Sequence, residues 1–447
     1  MKQKYYKDYL ANMIPCIGYG LLTGLFTGAT IFFFKFLAGK SETLSRTVYT
    51  WAKGSVLTVA LVFAVLLVLA YVMSRIHKAA PECKGGGIPR SEGILRGILP
   101  FAPLRTFLGT FFGSMLSFLA GLPCGSEGPA VLIGTSLGHF AGKSSKKRLA
   151  LERYVMTGGA GAGFAVALFD GSILLFRKFT SRGKKGPVPV KLMVTFVLAG
   201  ILCFFLADGA YSGHHMIEHV LEHSPAFGLL LTLFAIRLAM MLLVTDSGAT
   251  GGIFIPTLAI GVLAAAIITK LLIFLGMPAE LSSLMIFLGM CAFIGGTLRA
   301  PLTASVLFVE LSGQFTGLFY VAVVVFVVSL ITEVFGQTPF YDKALEEMTE
   351  SYHHGKQMKI SRFTLIVSPG DFVVGKSVRD IMWPHTSVIE SISHAESDIL
   401  EEMDDGEQRL YAGDRVTIRA AYYDKEEILK LLLGLAGDDV EIEDIVV

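Results

Sequence analysis

Long apolar stretches recur through the first three quarters of the chain and limit what it can fold into. Several reach the ~20 consecutive apolar residues that an α-helix needs to cross a bilayer. Others are shorter or interrupted by glycine and proline, as in half-spanning helices that end inside protein. The pattern predicts an all-α polytopic membrane protein with broken, half-spanning helices. The stretches cover about residues 9–38, 55–74, 99–122, 188–207, 225–244, 253–276, 282–297 and 316–335.

The composition agrees with a lipid bilayer as the main partner. Of 447 residues, 53% are hydrophobic and only 17% are charged, against roughly 25% charged residues in soluble domains. The formal net charge of +1 gives no basic field for nucleic acid, so we exclude a nucleic-acid partner. The cysteines show no metal or redox spacing, so we interpret them as core residues. They are Cys16, Cys83, Cys124, Cys203 and Cys291.

The distribution of charged and apolar residues divides the chain into three parts. Lysines precede the first apolar run and no small-residue cleavage site follows it, so we expect a retained, cytoplasmic N-terminus in the cell membrane. Basic clusters at 143–148 and 177–185 indicate further cytoplasmic loops. We assign a transmembrane domain to 1–345, a linker to 346–357 and a small soluble α+β domain, also cytoplasmic, to 358–447.

Alternating apolar residues and turn signals predict the elements of this last domain. We expect strands at Phe363–Val367, Ser387–Ile392 and Arg415–Ala420. We expect helices at Ser377–Met382 and Lys425–Gly434.

Glu127 places a carboxylate in the turn Gly125-Ser-Glu-Gly-Pro129, within an otherwise apolar region. Burying a carboxylate in a bilayer is costly, so such an acid usually marks a functional site. Pro129 suits the first turn of a helix, and helix starts attract anions through free N–H groups and the helix dipole. The motif indicates an anion site with its own carboxylate; the alternative is an acid that only stabilises the helix dipole.

Two further glycine-rich turns accompany this one. Pro256–Gly261 repeats the spacing of Pro129–Gly134 and follows Gly251-Gly-Ile-Phe-Ile255, while Gly85-Gly-Gly-Ile-Pro89 precedes the run near 99. A small-residue stretch follows each of the two repeated Pro-to-Gly segments, at 158–163 and at 295–303. Paired Gly/Pro-interrupted segments in two halves indicate an internal duplication and a transport site of broken helices. Backbone amides from such turns bind an anion without holding it as tightly as a buried lysine would.

The three turns, in this order and spacing, resemble signature stretches of the CLC family of chloride channels and transporters. Arg299–Thr303, followed by Glu310, and Pro339–Asp342 resemble two later stretches of that family. The resemblance covers about residues 10–345. It implies inverted repeats, a homodimer with one anion pathway per subunit, and chloride or another inorganic anion as substrate. We expect no cofactor, no bound metal and no enzymatic activity.

The resemblance also implies roles for single residues. Glu127 is the gating and proton-accepting carboxylate, which blocks the outer anion site when it is ionised. Tyr341 supplies a phenolic O–H to the anion; the alternative is an interfacial tyrosine, and the Pro-Phe-Tyr context favours the donor. The full set of expected anion-binding residues is Gly86, Gly87, Ile88, Gly128, Ile253, Phe254 and Tyr341.

Two departures from the family pattern bear on selectivity and coupling. Gly86 stands where the family usually has a serine, so one hydroxyl donor is lost and the preference for chloride over nitrate should soften. Exchangers often carry a second, cytoplasm-facing glutamate, and no glutamate falls near 180–182. Asp170 is a candidate surrogate. Coupled Cl⁻/H⁺ exchange is therefore our first hypothesis, and a passive gated anion channel with relaxed selectivity is the alternative.

The C-terminal domain contains Gly370–Ser377, which matches the phosphate-loop pattern. Its interior, Phe-Val-Val, prefers a strand, and no second nucleotide motif accompanies it, so a nucleotide-dependent enzyme or pump is a third, disfavoured hypothesis. The domain instead resembles the TrkA-C (RCK-C) regulatory domain. That resemblance implies a dimeric module with a small-molecule regulator bound within 358–447.

Other polar residues have simpler interpretations. The segment His214–His223 places three histidines on one helical face, at a spacing that can bind zinc, but we favour a solvated amphipathic helix. Asp246, Glu310 and Glu333 are single acids in apolar runs. We interpret them as hydrogen-bond partners at helix ends or interfaces.

Overall fold

The computed structural model describes residues 2–143, 155–157, 160, 188–313, 315–336, 339–353, 356, 358–394, 400–402, 406–437 and 440–444. The part before residue 354 is helical. Its helices are α1 (Lys2–Ala52), α2 (Val56–Ala79), α3 (Gly87–Leu95), α4 (Pro103–Leu119), α5 (Glu127–Lys143), α6 (Val188–Phe205), α7 (His214–His223), α8 (Phe227–Ser247), α9 (Phe254–Phe274), α10 (Ser282–Leu298), α11 (Pro301–Ser312), α12 (Leu318–Val334) and α13 (Phe340–Tyr352).

Helix length varies as the apolar pattern predicts. Five described segments are long and apolar enough to cross a membrane: α2, α6, α8, α9 and Ala279–Thr297. The helices α11 and α12 are apolar but shorter, and α3 has only nine residues. The predicted combination of full spans and half-spanning helices is therefore confirmed.

Local sequence explains where several helices start and stop. Pro103 and Pro301 occupy the first turns of α4 and α11, where the missing N–H costs no hydrogen bond. Gly248 and Gly313 follow α8 and α11 with φ of 71° and 65°, a left-handed conformation that glycine adopts without strain. Short loops with sharp turns can therefore return the chain into the bundle.

The helices bury two apolar cores and present apolar side chains outward. One core joins α1, α2, α4, α6 and α8 around Phe34 and Phe196. The other joins α7 to α12 around Leu263 and Phe308. On α12, large side chains such as Phe319 stay mostly exposed, as expected when the surrounding solvent is lipid rather than water.

The C-terminal domain is an antiparallel sheet with one helix. Its elements are β1 (Lys359–Ile366), β2 (Ser387–Ser393), β3 (Leu400–Glu402), β4 (Arg415–Tyr422), α14 (Lys425–Leu433) and β5 (Val440–Asp444). The strand order is β3-β2-β4-β1-β5. Phe363 of β1 pairs with Ile418 of β4, and both side chains are fully buried. The three predicted strands and the helix near 425–434 are confirmed.

The predicted helix Ser377–Met382 is wrong: the structure has only a 3₁₀ turn at Val378–Asp380. Ser377 forms an isolated bridge with Arg409, and the Val378 N–H donates to the Gln408 carbonyl. The Lys376 carbonyl, which a helix starting at Ser377 would use as its first acceptor, instead accepts from the Leu410 N–H at 3.0 Å. Pro384, close behind, also disfavours a longer helix.

Helix α13 connects the helical part to the sheet. It packs against α3 and reaches Tyr352, so the first half of the predicted linker is helical. Immediately after it, the His353 ring stacks on Tyr423, with centroids 4.0 Å apart and planes 12° apart. Arg96, at the end of α3, donates from Nη1 to His385 Nε2 at 3.3 Å.

Candidate anion site

The three glycine-rich turns meet inside the helical part. Gly125 and Gly252 form an antiparallel bridge, with N–H···O distances of 2.6 Å in both directions. The Gly85 N–H donates to the Gly248 carbonyl at 3.1 Å. Backbone hydrogen bonds thus connect the turns that precede α3, α5 and α9.

The bridge also relates the two copies of the repeated motif. Gly125 and Gly252 are separated by the same number of residues as Pro129 and Pro256, so they are equivalent positions. Equivalent residues pair antiparallel when a two-fold axis relates the segments that carry them. The contact agrees with the internal duplication that the repeated motif indicates.

The starts of the helices approach too closely for side chains. A Cβ at Gly87 would overlap the Gly128 carbonyl oxygen. A Cβ at Gly252 would lie 2.9 Å from both the Gly128 nitrogen and the Gly125 oxygen. Only glycine allows this approach, which brings the N-termini of α3, α5 and α9 together.

Glu127 is the first residue of α5 and is completely buried. The Ser126 hydroxyl donates to Glu127 Oε1 at 3.2 Å. The Oε2 atom packs against Gly125, and a Cβ at Gly252 would lie 3.1 Å from it. The carboxylate therefore lies between the starts of α5 and α9, where the dipoles of two helices favour negative charge.

The expected anion-binding amides lie around this carboxylate. Gly86 precedes α3, while Gly87 and Ile88 are in its first turn. Ile253 precedes α9, which begins at Phe254, and first-turn N–H groups have no acceptor within their own helix. A Cβ at Gly86 would meet only Ile253 Cγ1, at 3.9 Å. Gly86 thus has open space beside it, unlike Gly87.

Tyr341 reaches the same region from α13. Its ring packs against an apolar cluster that includes Ile253 and Ile260. Its hydroxyl oxygen is buried. The structure therefore gathers every predicted site residue into one region: the starts of α3, α5 and α9, with the first turn of α13.

Polar side chains that sequence reasoning missed hold the turns in place. Thr250 Oγ1 donates to the Cys83 carbonyl at 2.9 Å and lies 3.0 Å from His77 Nε2. The Ser117 hydroxyl donates to the Thr250 carbonyl at 2.6 Å. These contacts connect α2 and α4 to the segment before α9. Isolated polar residues in apolar helices were the only signal for them.

Arg237 is a second support that sequence reasoning missed. It lies in α8, is 1% exposed, and donates to the carbonyls of Asp208, Ala210, Tyr211 and Ser212 at 2.7–3.3 Å. These carbonyls satisfy the buried guanidinium donors, and the bonds hold the loop 208–212 before α7 in place. A lone arginine in an apolar run was an available signal for this role.

Some predicted features lie outside the described residues or have other surroundings. Asp170 and positions 180–182 lie outside them, as does most of the stretch 158–163. Asp246 pairs with Lys191 at 2.9 Å, which fits the predicted role of a partner at a helix end. Glu310 and Glu333 lie on exposed faces of α11 and α12.

Histidines of the cluster lie near carboxylates. In α7, His219 lies 3.5 Å from Asp208 and His215 lies 3.6 Å from Glu218. Among the described residues, no group of three or more His, Cys, Asp or Glu side chains has the arrangement to hold a metal ion. This geometry favours the solvated amphipathic helix.

The phosphate-loop pattern Gly370–Ser377 also differs from a nucleotide cradle. The amides of Gly375 and Lys376 donate to the carbonyls of Leu410 and Val373. The Lys376 ammonium lies 3.1 Å from the centroid of the Phe372 ring. No α-helix follows the turn, so the helix N-terminus that would bind phosphate is missing at this point.

Comparisons with known proteins agree with the fold. The chain matches the family described as voltage gated chloride channel over residues 69–170 and 166–333. It therefore belongs to this family, and the match does not reach the C-terminal sheet. The H(+)/Cl(-) exchange transporter ClcA of Salmonella paratyphi B is 26% identical, over 63% of this chain and 77% of the relative. ClcA of Salmonella newport matches equally.

Solved structures give the same fold. A slow cyanobacterial Cl⁻/H⁺ antiporter superposes with a TM-score of 0.64 and 22% identity, covering 76% of this chain and 98% of the antiporter. A eukaryotic CLC transporter gives a TM-score of 0.54 and 16% identity, covering 75% and 74%. The helical part therefore has the CLC fold.

Proposed function

We propose that this protein carries chloride or a similar inorganic anion across a membrane, in exchange for protons, with Glu127 as the gate. The observation that carries the proposal is the position of the buried Glu127 carboxylate between the starts of α5 and α9. A carboxylate in that position competes with a diffusible anion for the same amides. Curated relatives named as H(+)/Cl(-) exchange transporters support the exchange.

The geometry gives each group a role in one cycle. The amides before and within the first turns of α3 and α9 attract an anion from the aqueous side. An ionised Glu127 occupies this region and excludes the anion, because two negative charges would share one small volume. Protonation removes the charge of Glu127 and lets the anion enter. Release of that proton to the side from which the anion came moves the two ions in opposite directions, as exchange requires.

Tyr341 and Ser126 adjust this competition in opposite senses. Tyr341 donates its O–H to an anion on its way through the site, without adding a charge that would trap it. Ser126 donates to the Glu127 carboxylate, which holds the side chain in the closed position. The passive channel stays an alternative, and proton movement is the measurement that separates it from exchange.

The test is anion and proton flux in reconstituted vesicles. Glu127→Gln mimics the protonated acid, so it should pass anions with no dependence on pH and without moving protons. Glu333→Gln, which neutralises an exposed acid on α12, is the matched control and should behave as the parent does. Anion flux through Glu127→Gln that stays acid-dependent like the parent's would refute the proposal.

The remaining expectations belong with this proposal. The protein acts as a homodimer, both termini lie in the cytoplasm, and residues 358–447 form a regulatory TrkA-C-like domain rather than an enzyme. His353, which directly follows α13, stacks on Tyr423 of this domain, and this supports regulation because α13 carries Tyr341. Single-molecule subunit counting in bilayers tests the dimer, and a monomeric, active protein would contradict it.

A further inference from the structure

A cleft of about 430 Å³ opens where the helical part meets the C-terminal domain. The helical part supplies one wall, from the end of α3 and one face of α13. The other wall comes from residues 384–386, residues 421–424 and α14. We call this space the junction cleft.

The charge of the junction cleft is mainly negative. Its cationic side chain Arg96 already pairs with Glu92 and donates to His385, so it offers little to an anion. Lys356 pairs with Asp424 at 3.6 Å, which leaves more carboxylates than cations around the cleft. The charges therefore favour a cationic ligand. The carboxylates that line the cleft are Asp342, Glu346, Glu350, Asp424 and Glu427.

His353 is an independent sign of a missing ligand in the junction cleft. It lines the cleft and is only 6% exposed. Its Nε2 lies 3.3 Å from the Ile98 carbonyl, which can only accept, so Nε2 carries the proton. The Nδ1 atom is then a bare acceptor, buried and without a hydrogen-bond partner. A ligand with N–H donors would satisfy it.

The carboxylates on α13 have a regular spacing. Asp342, Glu346 and Glu350 follow at every fourth residue, so they form a row with steps of about 6 Å along the helix. Amines separated by three or four methylenes lie about 5–6 Å apart in an extended chain with single bonds near ~1.5 Å. The row thus matches the charge spacing of a linear polyamine.

We propose that the junction cleft binds a linear polyamine. Its ammonium groups pair with the carboxylate row and donate to His353 Nδ1. Its methylenes pack on the apolar wall formed by Leu345, Ile428 and Leu431. A metal ion fits less well, because no group of three ligand side chains converges among the described residues. The ligand would touch α13, which carries Tyr341 of the anion site.

The test is calorimetric titration of spermidine into the full-length protein in detergent at low ionic strength. The parent should bind spermidine saturably, with one site per chain. Glu346→Gln/Glu350→Gln should bind at least tenfold more weakly. Glu347→Gln/Glu426→Gln makes the same change of charge outside the cleft and should bind as the parent does.

A second variant separates a defined site from a diffuse acidic surface. His353→Phe keeps a ring against Tyr423 but removes the acceptor, and it should weaken spermidine binding severalfold. Mg²⁺ at equal charge concentration should not displace spermidine. No saturable binding by the parent, equal losses in the control, or full competition by Mg²⁺ would each overturn the proposal.

Discussion

The anion site and the junction cleft are two polar regions touched by one helix, but they are built from different groups. Around Glu127 the donors are backbone amides at the starts of α3 and α9, and glycine allows their approach. In the junction cleft the polar groups are side chains, chiefly carboxylates with His353 and His385. One end of α13 reaches the first region and its length lines the second.

Because they are built from different groups, the two regions should respond differently to pH, salt and substitution. Amides do not titrate, so under the proposed function the pH dependence of the anion site should come from a single buried carboxylate, Glu127. The junction cleft contains many ionisable, partly exposed groups, so pH and salt should both affect it. Steric changes should damage the first region most, and changes of charge should affect the second.

The largest expected effect comes from adding a side chain at Gly87. The Cβ of Gly87→Ala would overlap the Gly128 carbonyl, and such overpacking typically costs ~1–3 kcal/mol. We expect a lower melting temperature and near-complete loss of anion flux. Gly86→Ala, whose Cβ meets only Ile253 at 3.9 Å, is the control. Equal behaviour of the two variants would show that the turns do not pack as described.

A smaller change should follow from restoring a hydroxyl beside the anion. Gly86→Ser fits the open space next to α9 and adds a donor, and a hydrogen bond to a charged group is worth ~1.5–3 kcal/mol. Even part of this should raise the ratio of chloride to nitrate permeability several-fold. An unchanged ratio in a stable, active variant would place Gly86 away from the anion.

A modest pH effect is expected at the junction cleft. Burial lowers the pKa of His353, and burial with the Arg96 charge lowers the pKa of His385. Packing of the C-terminal domain against the helical part, here called docking, thus favours neutral imidazoles. The equilibrium constant for docking should fall as the pH drops below about 6.5, the ordinary pKa of histidine, by at most ~10-fold per pH unit for each histidine. Above pH 7.5 it should not change.

Hydrogen exchange over residues 96–98 and 421–423, corrected for the intrinsic effect of pH, measures this docking. The variant His353→Phe/His385→Phe should show little dependence between pH 7.5 and 5.5. Stronger protection of the parent at pH 5.5 than at pH 7.5 would contradict the sign of both pKa shifts.

The smallest effect is expected at the phosphate-loop pattern. Lys376 lies over the Phe372 ring, far in sequence from the anion site, and the amides around it are already bonded within the domain. Lys376→Ala should leave anion flux within about twofold of the parent, and the protein should not hydrolyse ATP. Loss of flux in a correctly folded variant would revive the nucleotide-dependent hypothesis.

The two regions also differ in how far sequence could predict them. The three turns of the anion site were predictable because glycine and proline recur in them and one of them also contains an acid. Each of these residue types has a specific steric or electrostatic use at a helix start. The supports Thr250 and Arg237 were not predicted, because their partners are backbone carbonyls that only the folded chain brings near. Only the structure could show that Gly86 has open space beside it while Gly87 packs against the Gly128 carbonyl.

The junction cleft could not be predicted from sequence. Arg96, His353 and Tyr423 are far apart along the chain and carry no shared motif. The predicted helix at Ser377–Met382 failed for a related reason: the distant segment 408–410 hydrogen-bonds the Lys376 carbonyl and the Val378 N–H. Contacts between distant segments decided both cases.

The most direct test of the central claim is the reversal potential of vesicles that hold the protein under a pH gradient. If Glu127 exchanges protons for anions, the reversal potential of the parent shifts with the pH gradient at fixed chloride. In Glu127→Gln it should follow the chloride gradient alone. The claim would be contradicted if the reversal potential of the parent did not change with the pH gradient. It would also be contradicted if the reversal potential of the Glu127→Gln variant still changed with that gradient.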